Sequence, residues 1–385
     1  VISAGRLRTD GENVLSAASA VSVTGDGVLD LNDGTTDADG AATPVAHSQT
    51  IANLSGDGSV RTGSLNGATL MTGSAGEDAV FAGVISELGG VTKVGTGTLT
   101  LSGANSATGM LRVANGTVAL SGSWAGGATV ESGASLAGGG TISGVLTVGE
   151  GAIAPGNGGM GVLTTGGLTL SEGSVLSYDL GAPGSGDRIQ VNGDLMLDGT
   201  LDITDVGGFG EGVYRLIDYS GSLTDNGLLV GTVPSGEDAG IMAVQTTIAS
   251  QINLVYGTPN PAAILFWDGV DITSNNVVDG GSGSWTSSQP NWTDANGATN
   301  MGWGGLFAVF QGAAGTVAVD DAIDFTGAQF MTDGYVMAAG SGSLSAVDPQ
   351  TNIRVDPGVT ATISADIGGS GGILKNDAGT LILSG

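Results

Sequence analysis

Short apolar runs separated by turn residues recur along the whole chain, and inside many of them hydrophobic and polar positions alternate. Leu29–Leu31 reads Leu-Asp-Leu, and Thr200–Ile203 reads Thr-Leu-Asp-Ile. Because successive side chains of a strand point to opposite faces, we expect the leucines and isoleucine inside and the aspartates outside. The pattern predicts many short β-strands with glycine, asparagine and aspartate at the corners between them.

The clearest series of such strands lies between Gly126 and Asp202. The strands are too short and too evenly spaced for an antiparallel sandwich, and the long helical segments of βαβ crossovers are absent. Coils that turn at glycine corners, where a positive φ has no steric cost, fit these strands better. The predicted fold is all-β, a parallel β-helix (β-solenoid) of single-stranded, pectin-lyase-like architecture, with roughly 20 residues per coil.

One segment of the chain occurs twice. Gly89–Gly103 reads GGVTKVGTGTLTLSG, and Gly371–Gly385 reads GGILKNDAGTLILSG. Internal similarity of this kind is typical of repeat architectures, so we give the aligned positions a structural role. These positions are Lys93, Gly97, Leu99, Leu101 and Gly103 in the first copy and Lys375, Gly379, Leu381, Leu383 and Gly385 in the second.

The longer stretch Gly89–Leu120 resembles the autotransporter-associated β-strand repeat, also called the passenger-associated transport repeat. That repeat belongs to the secreted passengers of Gram-negative type V autotransporters. Val91 stands where leucine is usual, and Ala107 stands where an aromatic residue is usual. The resemblance implies a right-handed helix within a longer exported chain. It also implies display at the cell surface or secretion, with attachment to the outer membrane through a C-terminal β-barrel outside these residues.

A proline-containing segment, Gly257–Ala263, is the best candidate for a boundary between modules. Pro259 and Pro261 lack the backbone N–H that a sheet ladder needs. We therefore predict two β-helix modules, residues 1–257 with the repeat at 89–120 and residues 258–385 with a truncated repeat at 371–385.

The excess of acidic over basic residues argues against some classes of binding partner. The chain carries 37 acidic and 9 basic residues, which gives a net charge of −28. Nucleic-acid binding needs a basic surface, so we expect no nucleic-acid partner. Docking on anionic lipid head groups is disfavoured for the same reason. The most direct interpretation is a solvated, acidic surface.

Few residues offer catalytic chemistry. The chain has no cysteine and one histidine, so a Ser-His-Asp triad would have to use His47. Asp320, Asp321 and Asp324 lie close in sequence, but a glycosidase groove also calls for basic partners, which are sparse here. We expect no enzyme activity, no cofactor and no metal centre. A weak calcium site between loops, for which Asp37–Gly40 offers part of a calcium-loop pattern, stays open as an alternative.

Tryptophan is unevenly distributed along the chain. Four of the five tryptophans, Trp267, Trp285, Trp292 and Trp303, fall within a short part of the second predicted module. They are candidates for an aromatic surface that stacks on sugars or anchors a receptor. The alternative, which we favour, is that they pack over the coil where this module begins.

The family resemblance also implies a function. We expect a passenger segment that acts as a cell-surface adhesin or scaffold. Its partner would be a component of the host-cell surface or extracellular matrix, or a sister bacterium through self-association. The alternative is an inert β-helical stalk that supports secretion and display of an effector domain outside these residues.

Overall fold

A computed structural model describes residues 1–32, 45–257, 264–304, 307–347 and 349–385. Within these ranges the structure consists of strands and turns, with one three-residue 3₁₀ helix at Ala239–Ile241. None of the described residues belongs to a helix with the length and apolar character needed to cross a membrane. The chain divides into two compact units: unit 1 comprises Val1–Tyr178, Asp187–Asp202 and Tyr219–Gly231, and unit 2 comprises Asp179–Gly186, Ile203–Asp218 and Thr232–Gly385.

Unit 1 is built from parallel ladders that take strands from successive coils. A four-stranded ladder contains Arg6–Arg8, Val28–Asp30, Ser59–Arg61 and Val84–Ser86. A ten-stranded ladder contains Ala20–Val23, Asn53–Gly56, Ala79–Phe81, Thr98–Leu101, Gly116–Leu120, Ala134–Ala137, Ala152–Ala154, Val175–Leu180, Thr200–Asp205 and Leu229–Val230. The third contains Gln49–Thr50, Thr69–Thr72, Gly90–Lys93, Ala104–Asn105, Leu111–Val113, Ser123–Trp124, Ala128–Val130, Thr141–Val148, Val162–Leu170, Arg188–Val191, Leu195–Leu197 and Leu223–Asp225.

Unit 2 repeats this arrangement. Its largest sheet contains Ile264–Trp267, Trp292–Thr293, Asn300–Met301, Phe307–Phe310, Gly327–Phe330, Gln350–Val355 and Gly372–Asn376. A five-stranded ladder contains Gly283–Trp285, Thr316–Val319, Val336–Ala339, Thr360–Ile363 and Thr380–Leu383, and a three-stranded ladder contains Ala322–Phe325, Ser343–Ala346 and Ile367–Gly369. Most pairs are parallel. Antiparallel pairs join Gln251–Tyr256 to Gly212–Tyr219 and to Met242–Gln245. Trp292–Thr293 is also antiparallel to both of its neighbours, Ile264–Trp267 and Asn300–Met301.

The register between coils explains the core. Leu99 pairs with Val118 and Leu101 pairs with Leu120, so like residues of successive coils stack inside the ladder. All of these side chains are buried. The stacked parallel coils confirm the predicted all-β parallel β-helix. Thr100, which lies between the two leucines, is more exposed than they are, as expected from the alternation of side chains along a strand.

Asp30 departs from the predicted pattern, because it does not reach solvent. Its strand neighbours on the two adjacent coils are Arg8 and Arg61. The carboxylate lies 3.0 Å from the Arg6 guanidinium and 3.7 Å from that of Arg61, and it is almost fully buried. The prediction of an exposed aspartate was wrong here because long basic side chains on both neighbouring coils cover it.

Two predictions from the sequence fall on residues outside the described ranges. The boundary segment after Gly257 includes residues 258–263, and the partial calcium-loop pattern at Asp37–Gly40 lies within residues 33–44. The division into modules 1–257 and 258–385 therefore stays a prediction.

Candidate functional site

The four tryptophans predicted as ligand candidates come together in unit 2. Trp267 ends the strand Ile264–Trp267, Trp285 ends Gly283–Trp285, and Trp292 begins Trp292–Thr293. Trp303 follows the short strand Asn300–Met301. All four are buried, and they belong to one hydrophobic cluster with Phe310.

The indole rings contact one another directly. Trp292 lies 4.5 Å from Trp303 and 4.8 Å from Trp285 between ring centroids. Trp285 meets Trp303 at an interplanar angle of 81°, and Trp267 meets Trp292 at 69°. These edge-to-face arrangements are those that aromatic quadrupoles favour.

Two of the indole N–H groups have ordinary partners. Trp267 Nε1 donates to the Gly281 carbonyl at 2.8 Å, and Trp303 Nε1 donates to the Asp324 carbonyl at 2.8 Å. Among the described residues, the buried Nε1 atoms of Trp285 and Trp292 have no hydrogen-bond acceptor. The geometry is the packing that we favoured from the sequence. A receptor role for these rings stays a prediction.

The leucines and glycines of the repeat motif contribute to packing inside and between the coils. Leu99 and Leu101 point into the core of unit 1. A Cβ atom at Gly97 would overlap the carbonyl oxygen of Glu77, and one at Gly103 would overlap that of Gly83. The leucines therefore fill the core, whereas the glycines let neighbouring coils approach closely.

Lys93 is the most deeply buried basic residue of the motif, with 1% of its surface exposed. Its ammonium donates to the carbonyl oxygens of Val94 at 2.8 Å, Gly95 at 2.8 Å and Asn115 at 3.3 Å. Burial lowers the pKa of Lys93, and the nearby charge of Asp78 opposes that shift. The side chain is a buried donor to turn carbonyls.

The second copy of the motif has the same local geometry in unit 2. Lys375 Nζ donates to the carbonyl oxygens of Asn376 at 2.6 Å and Asp377 at 2.8 Å. Leu381 packs against the core of the unit, whereas Leu383 is exposed. A Cβ atom at Gly379 would overlap the Asp356 carbonyl, and one at Gly385 would lie 2.7 Å from the Ala365 carbonyl oxygen.

A groove of about 320 Å³ crosses the repeat on the outside of unit 1. Gly89, Gly90 and neighbouring glycines line it, together with Leu88, Met110 and Arg112. About half of the surface of Leu88 and of Met110 is exposed, at 48% and 47%. Arg112 forms a two-point ion pair with Glu131 beside it. The alternating pattern of the sequence did not predict this groove. The one sequence feature that could have indicated it is Met110, an apolar residue at an outward-facing position.

Three carboxylates in unit 2 lie close enough to hold a cation. Oxygen atoms of Asp268, Asp271 and Asp279 all lie within 4.8 Å of one another. Asn275 donates to Asp271 at 2.9 Å and to Asp279 at 3.0 Å, and Asn300 donates to Asp268 at 2.8 Å. Burial raises the pKa of Asp268. The side-chain amides of Asn275 and Asn300 therefore donate hydrogen bonds to carboxylate oxygens of this cluster.

The residues that the sequence offered for catalysis form hydrogen bonds or close contacts with nearby side chains. Asp321 accepts hydrogen bonds from the backbone and hydroxyl of Ser287, both at 2.9 Å, and these bonds lower its pKa. Asp320 accepts from the Ser284 hydroxyl. His47 lies beside Glu12, with 3.7 Å between Nδ1 and the carboxylate. Asp320 and Asp321 therefore tie neighbouring segments together.

Comparison with known proteins finds similarity to a family model and to an individual relative. Residues 91–120 match the family model described as passenger-associated-transport-repeat. Over 261 residues, or 62% of its length, the chain is 42% identical to the adhesin BmaC autotransporter of Brucella suis biovar 1 (strain 1330). The chain spans 7% of the length of that relative. Together with the parallel coils and the buried motif residues, these matches bear out the resemblance stated from the sequence: residues 91–120 match the passenger-associated transport repeat, and the chain is similar to an autotransporter passenger.

Proposed function

We propose that this chain is an adhesive segment of a passenger displayed on the bacterial surface and anchored in the outer membrane. Its partner is a component of the host-cell surface or extracellular matrix, or a sister bacterium. It acts by contact rather than by catalysis. The observation that carries the proposal is the 42% identity to an autotransporter adhesin over 62% of this chain.

The outer surface of the repeat is the contact region that the structure favours. Stacked coils hold Leu88, Met110 and Arg112 around one groove, and the first two expose apolar surface. Exposed apolar side chains beside a charged rim are typical of protein interaction sites. The chain has a net charge of −28, so a contact region whose centre is apolar also limits repulsion between copies.

The test is binding of the purified chain to host-cell monolayers, to matrix-coated surfaces and to bacteria that display it. The variant Leu88→Ser/Met110→Ser removes apolar groove surface without entering the core. Val80→Ser is a matched control, because Val80 is exposed on another ladder. We expect saturable binding that weakens about tenfold in the groove variant and is unchanged in the control, as for loss of a hot spot.

Three outcomes separate the alternatives once a β-rich circular dichroism spectrum shows that each protein is folded. Loss of binding in the groove variant supports both the adhesin and this contact region. Equal binding of all variants keeps the adhesin but moves its site. Absence of binding by the folded wild-type chain contradicts the proposal and leaves a stalk.

A further inference from the structure

The carboxylates of Asp268, Asp271 and Asp279 are close enough together to bind the same ion. One oxygen atom from each lies within 4.8 Å of the other two. Two oxygens that each lie about 2.4 Å from one calcium ion are at most about 4.8 Å apart, so the three can contact one ion. Calcium also tolerates irregular ligand geometry, whereas magnesium demands a near-ideal octahedron.

The environment of the cluster makes its negative charge costly. Asp268 is fully buried, Asp271 is partly buried and Asp279 is exposed. The backbone N–H of Asp279 donates to the Asp268 carboxylate at 2.8 Å, which keeps these two residues together. Like charges at this separation repel one another, and burial removes the water that would screen them. Acidic clusters without an ion are nevertheless common, so the neutral groups around this one decide whether it is a site.

Gln311 is a buried amide that lacks a hydrogen-bond partner. Its exposed fraction is 0%. Among the described residues, neither its Oε1 nor its Nε2 has a partner. Burying an amide without hydrogen bonds costs free energy, so nearly all such groups in folded proteins bind another protein group, a water or a ligand.

The strand register directs Gln311 toward the acidic cluster. Phe266 pairs with Val309 in a parallel ladder. Asp268 and Gln311 each lie two residues further along their strands, so both side chains share the face of Phe266 and Val309. Neighbouring strands are about 4.8 Å apart. The unpartnered amide therefore lies beside the buried carboxylate of Asp268.

Asp279 lies against the same end of that strand. A Cβ atom at Gly312 would lie 2.5 Å from the Asp279 carbonyl oxygen, and the backbone N–H of Ala313 donates to this oxygen at 2.8 Å. Gln311 directly precedes Gly312, so it adjoins Asp279 as well as Asp268. Two of the three acids thus lie next to one unpartnered amide.

Asn300 brings a second amide to the cluster. Phe266 pairs with Thr293, and Thr293 pairs with Asn300, so these residues share one face of the sheet. On that face the Asn300 Nδ2 donates to Asp268 at 2.8 Å, while its Oδ1 is buried and has no partner among the described residues. A half-turn of the amide exchanges its oxygen and nitrogen, and would present a carbonyl oxygen to an ion at Asp268.

We propose that Asp268, Asp271 and Asp279 bind one calcium ion, with the amide oxygens of Gln311 and Asn300 as neutral ligands. Carboxylate and amide oxygens are the ligands that calcium prefers, and water completes its usual six to eight positions. The ion ties the turn that follows Trp267 to the strand of the neighbouring coil. Adhesion is not needed for this role.

The sequence alone does not indicate this site. Asp268, Asp271 and Asp279 do not follow the alternating ligand positions of a common calcium loop. Gln311 comes from another coil, and only the register of the ladder brings it to the acids.

The first experiment titrates calcium chloride into the calcium-free chain by isothermal calorimetry. Sodium chloride at about 0.15 M screens general attraction to the acidic surface. We expect one saturable site with a Kd on the order of 10⁻⁴ M, as in extracellular calcium modules. Asp271→Asn/Asp279→Asn should weaken it at least about tenfold, because ligand charge sets calcium affinity.

The matched control is Asp324→Asn/Asp366→Asn, which removes the same charge from two exposed positions of unit 2. Its calcium affinity should equal that of the wild type. No saturable binding by the wild-type chain, or equal weakening in both double variants, overturns the proposal.

The second experiment tests Gln311 as a ligand through Gln311→Met, which keeps the unbranched stem and removes the amide. Calcium binding should weaken about three- to tenfold. Melting in a calcium chelator should show a variant at least as stable as the wild type, because a buried polar group without a partner has been removed. An unchanged calcium affinity in the folded variant contradicts the assignment of Gln311.

Terbium luminescence locates the ion. Tb³⁺ replaces calcium at oxygen sites, and excitation of a nearby indole makes it emit; Trp267 directly precedes Asp268. Emission excited through tryptophan should appear in the wild type and in Asp324→Asn/Asp366→Asn. Calcium should displace it, and Asp271→Asn/Asp279→Asn should lack it. Emission that persists in that variant, or that calcium does not displace, contradicts a calcium site at these residues.

Discussion

Single residues fix how closely the coils approach. Gly83, Gly103 and Gly122 stand in one column, where a Cβ atom on Gly103 or on Gly122 would overlap the carbonyl oxygen of the glycine one coil earlier. Such positions exclude every side chain for a steric reason. The aligned glycines of the repeat are therefore spacing elements, while Leu99 and Leu101 fill the core between them.

Gly103→Ala should destabilise unit 1 by about 1–3 kcal/mol, because the added methyl group forces the coils apart. The matched control is Gly159→Ala, at a glycine whose Cβ position has nothing within 4 Å. Urea unfolding followed by circular dichroism measures the difference. Equal stability of the two variants would contradict the steric role of Gly103.

Trp292→Ala should lower the free energy of unfolding by about 3–5 kcal/mol, as expected for removal of a fully buried aromatic ring. Trp292→Phe should cost less, because it keeps an aromatic ring and removes an N–H that has no acceptor among the described residues. Thermal and urea unfolding give these values. A stable Trp292→Ala variant that lost binding would instead support the receptor role of this tryptophan.

At the scale of elements, unit 2 contains a side-chain clamp between two strands. Gln329, on the strand Gly327–Phe330, accepts from the backbone N–H of Val213 at 3.0 Å and donates to its carbonyl at 2.9 Å. It also donates to the Asp356 carboxylate at 3.0 Å. The strand that begins at Gly212 is thus held by a buried amide whose own position depends on a buried acid.

Burial of the Asp356 carboxyl, rather than its hydrogen bond from Gln329, should make unit 2 more stable in mild acid. Burial raises the pKa of Asp356 to about 6, and a charged Asp377 nearby adds to the shift, while the Gln329 hydrogen bond and the charges of Arg215 and Arg354 oppose it. The unfolded value is about 3.9, so the folded state binds the proton more tightly. The contribution to stability is therefore full below about pH 4 and is lost as the pH rises through 6, a change of about 3 kcal/mol.

The measurement is urea unfolding between pH 4 and pH 7.5 for the wild-type chain and for Asp356→Asn. The wild type should lose stability relative to the variant as the pH rises through 6. Asp366→Asn is the control, since Asp366 is exposed and should leave that pH dependence in place. Parallel pH profiles for wild type and Asp356→Asn would show that Asp356 is not the titrating group.

For the whole molecule, the dominant long-range property is its net charge of −28. Acidic residues that repel one another oppose both folding and contact between copies. Salt shortens the Debye length from about 30 Å at 0.01 M to about 10 Å at 0.1 M. Screening therefore favours the folded chain and any association between copies.

The melting temperature should rise by a few degrees between 0.01 M and 0.3 M sodium chloride, and self-association in sedimentation experiments should increase in parallel. A neutral osmolyte that matches the osmolality is the control for effects unrelated to charge. A melting temperature that falls with salt would mean that ion pairs such as Arg61–Glu87 outweigh the general repulsion.

The fold class and the family resemblance could be predicted from the sequence alone. Alternation within short strands and the duplicated motif suffice for these, because each coil of a parallel helix repeats the same local pattern and stacks on its neighbour. The duplicated motif indicated a structural role for Leu99 and Leu101, and the structure buries both side chains in the core.

The sequence did not reveal which residues of different coils lie side by side. The mutual packing of Trp285 and Trp292, the covering of Asp30 by arginines and the partners of Lys93 all depend on that register. A periodic sequence pattern predicts which way a side chain points. It does not predict what lies above or below it, because the length of each turn sets the alignment of neighbouring coils and few residues constrain that length.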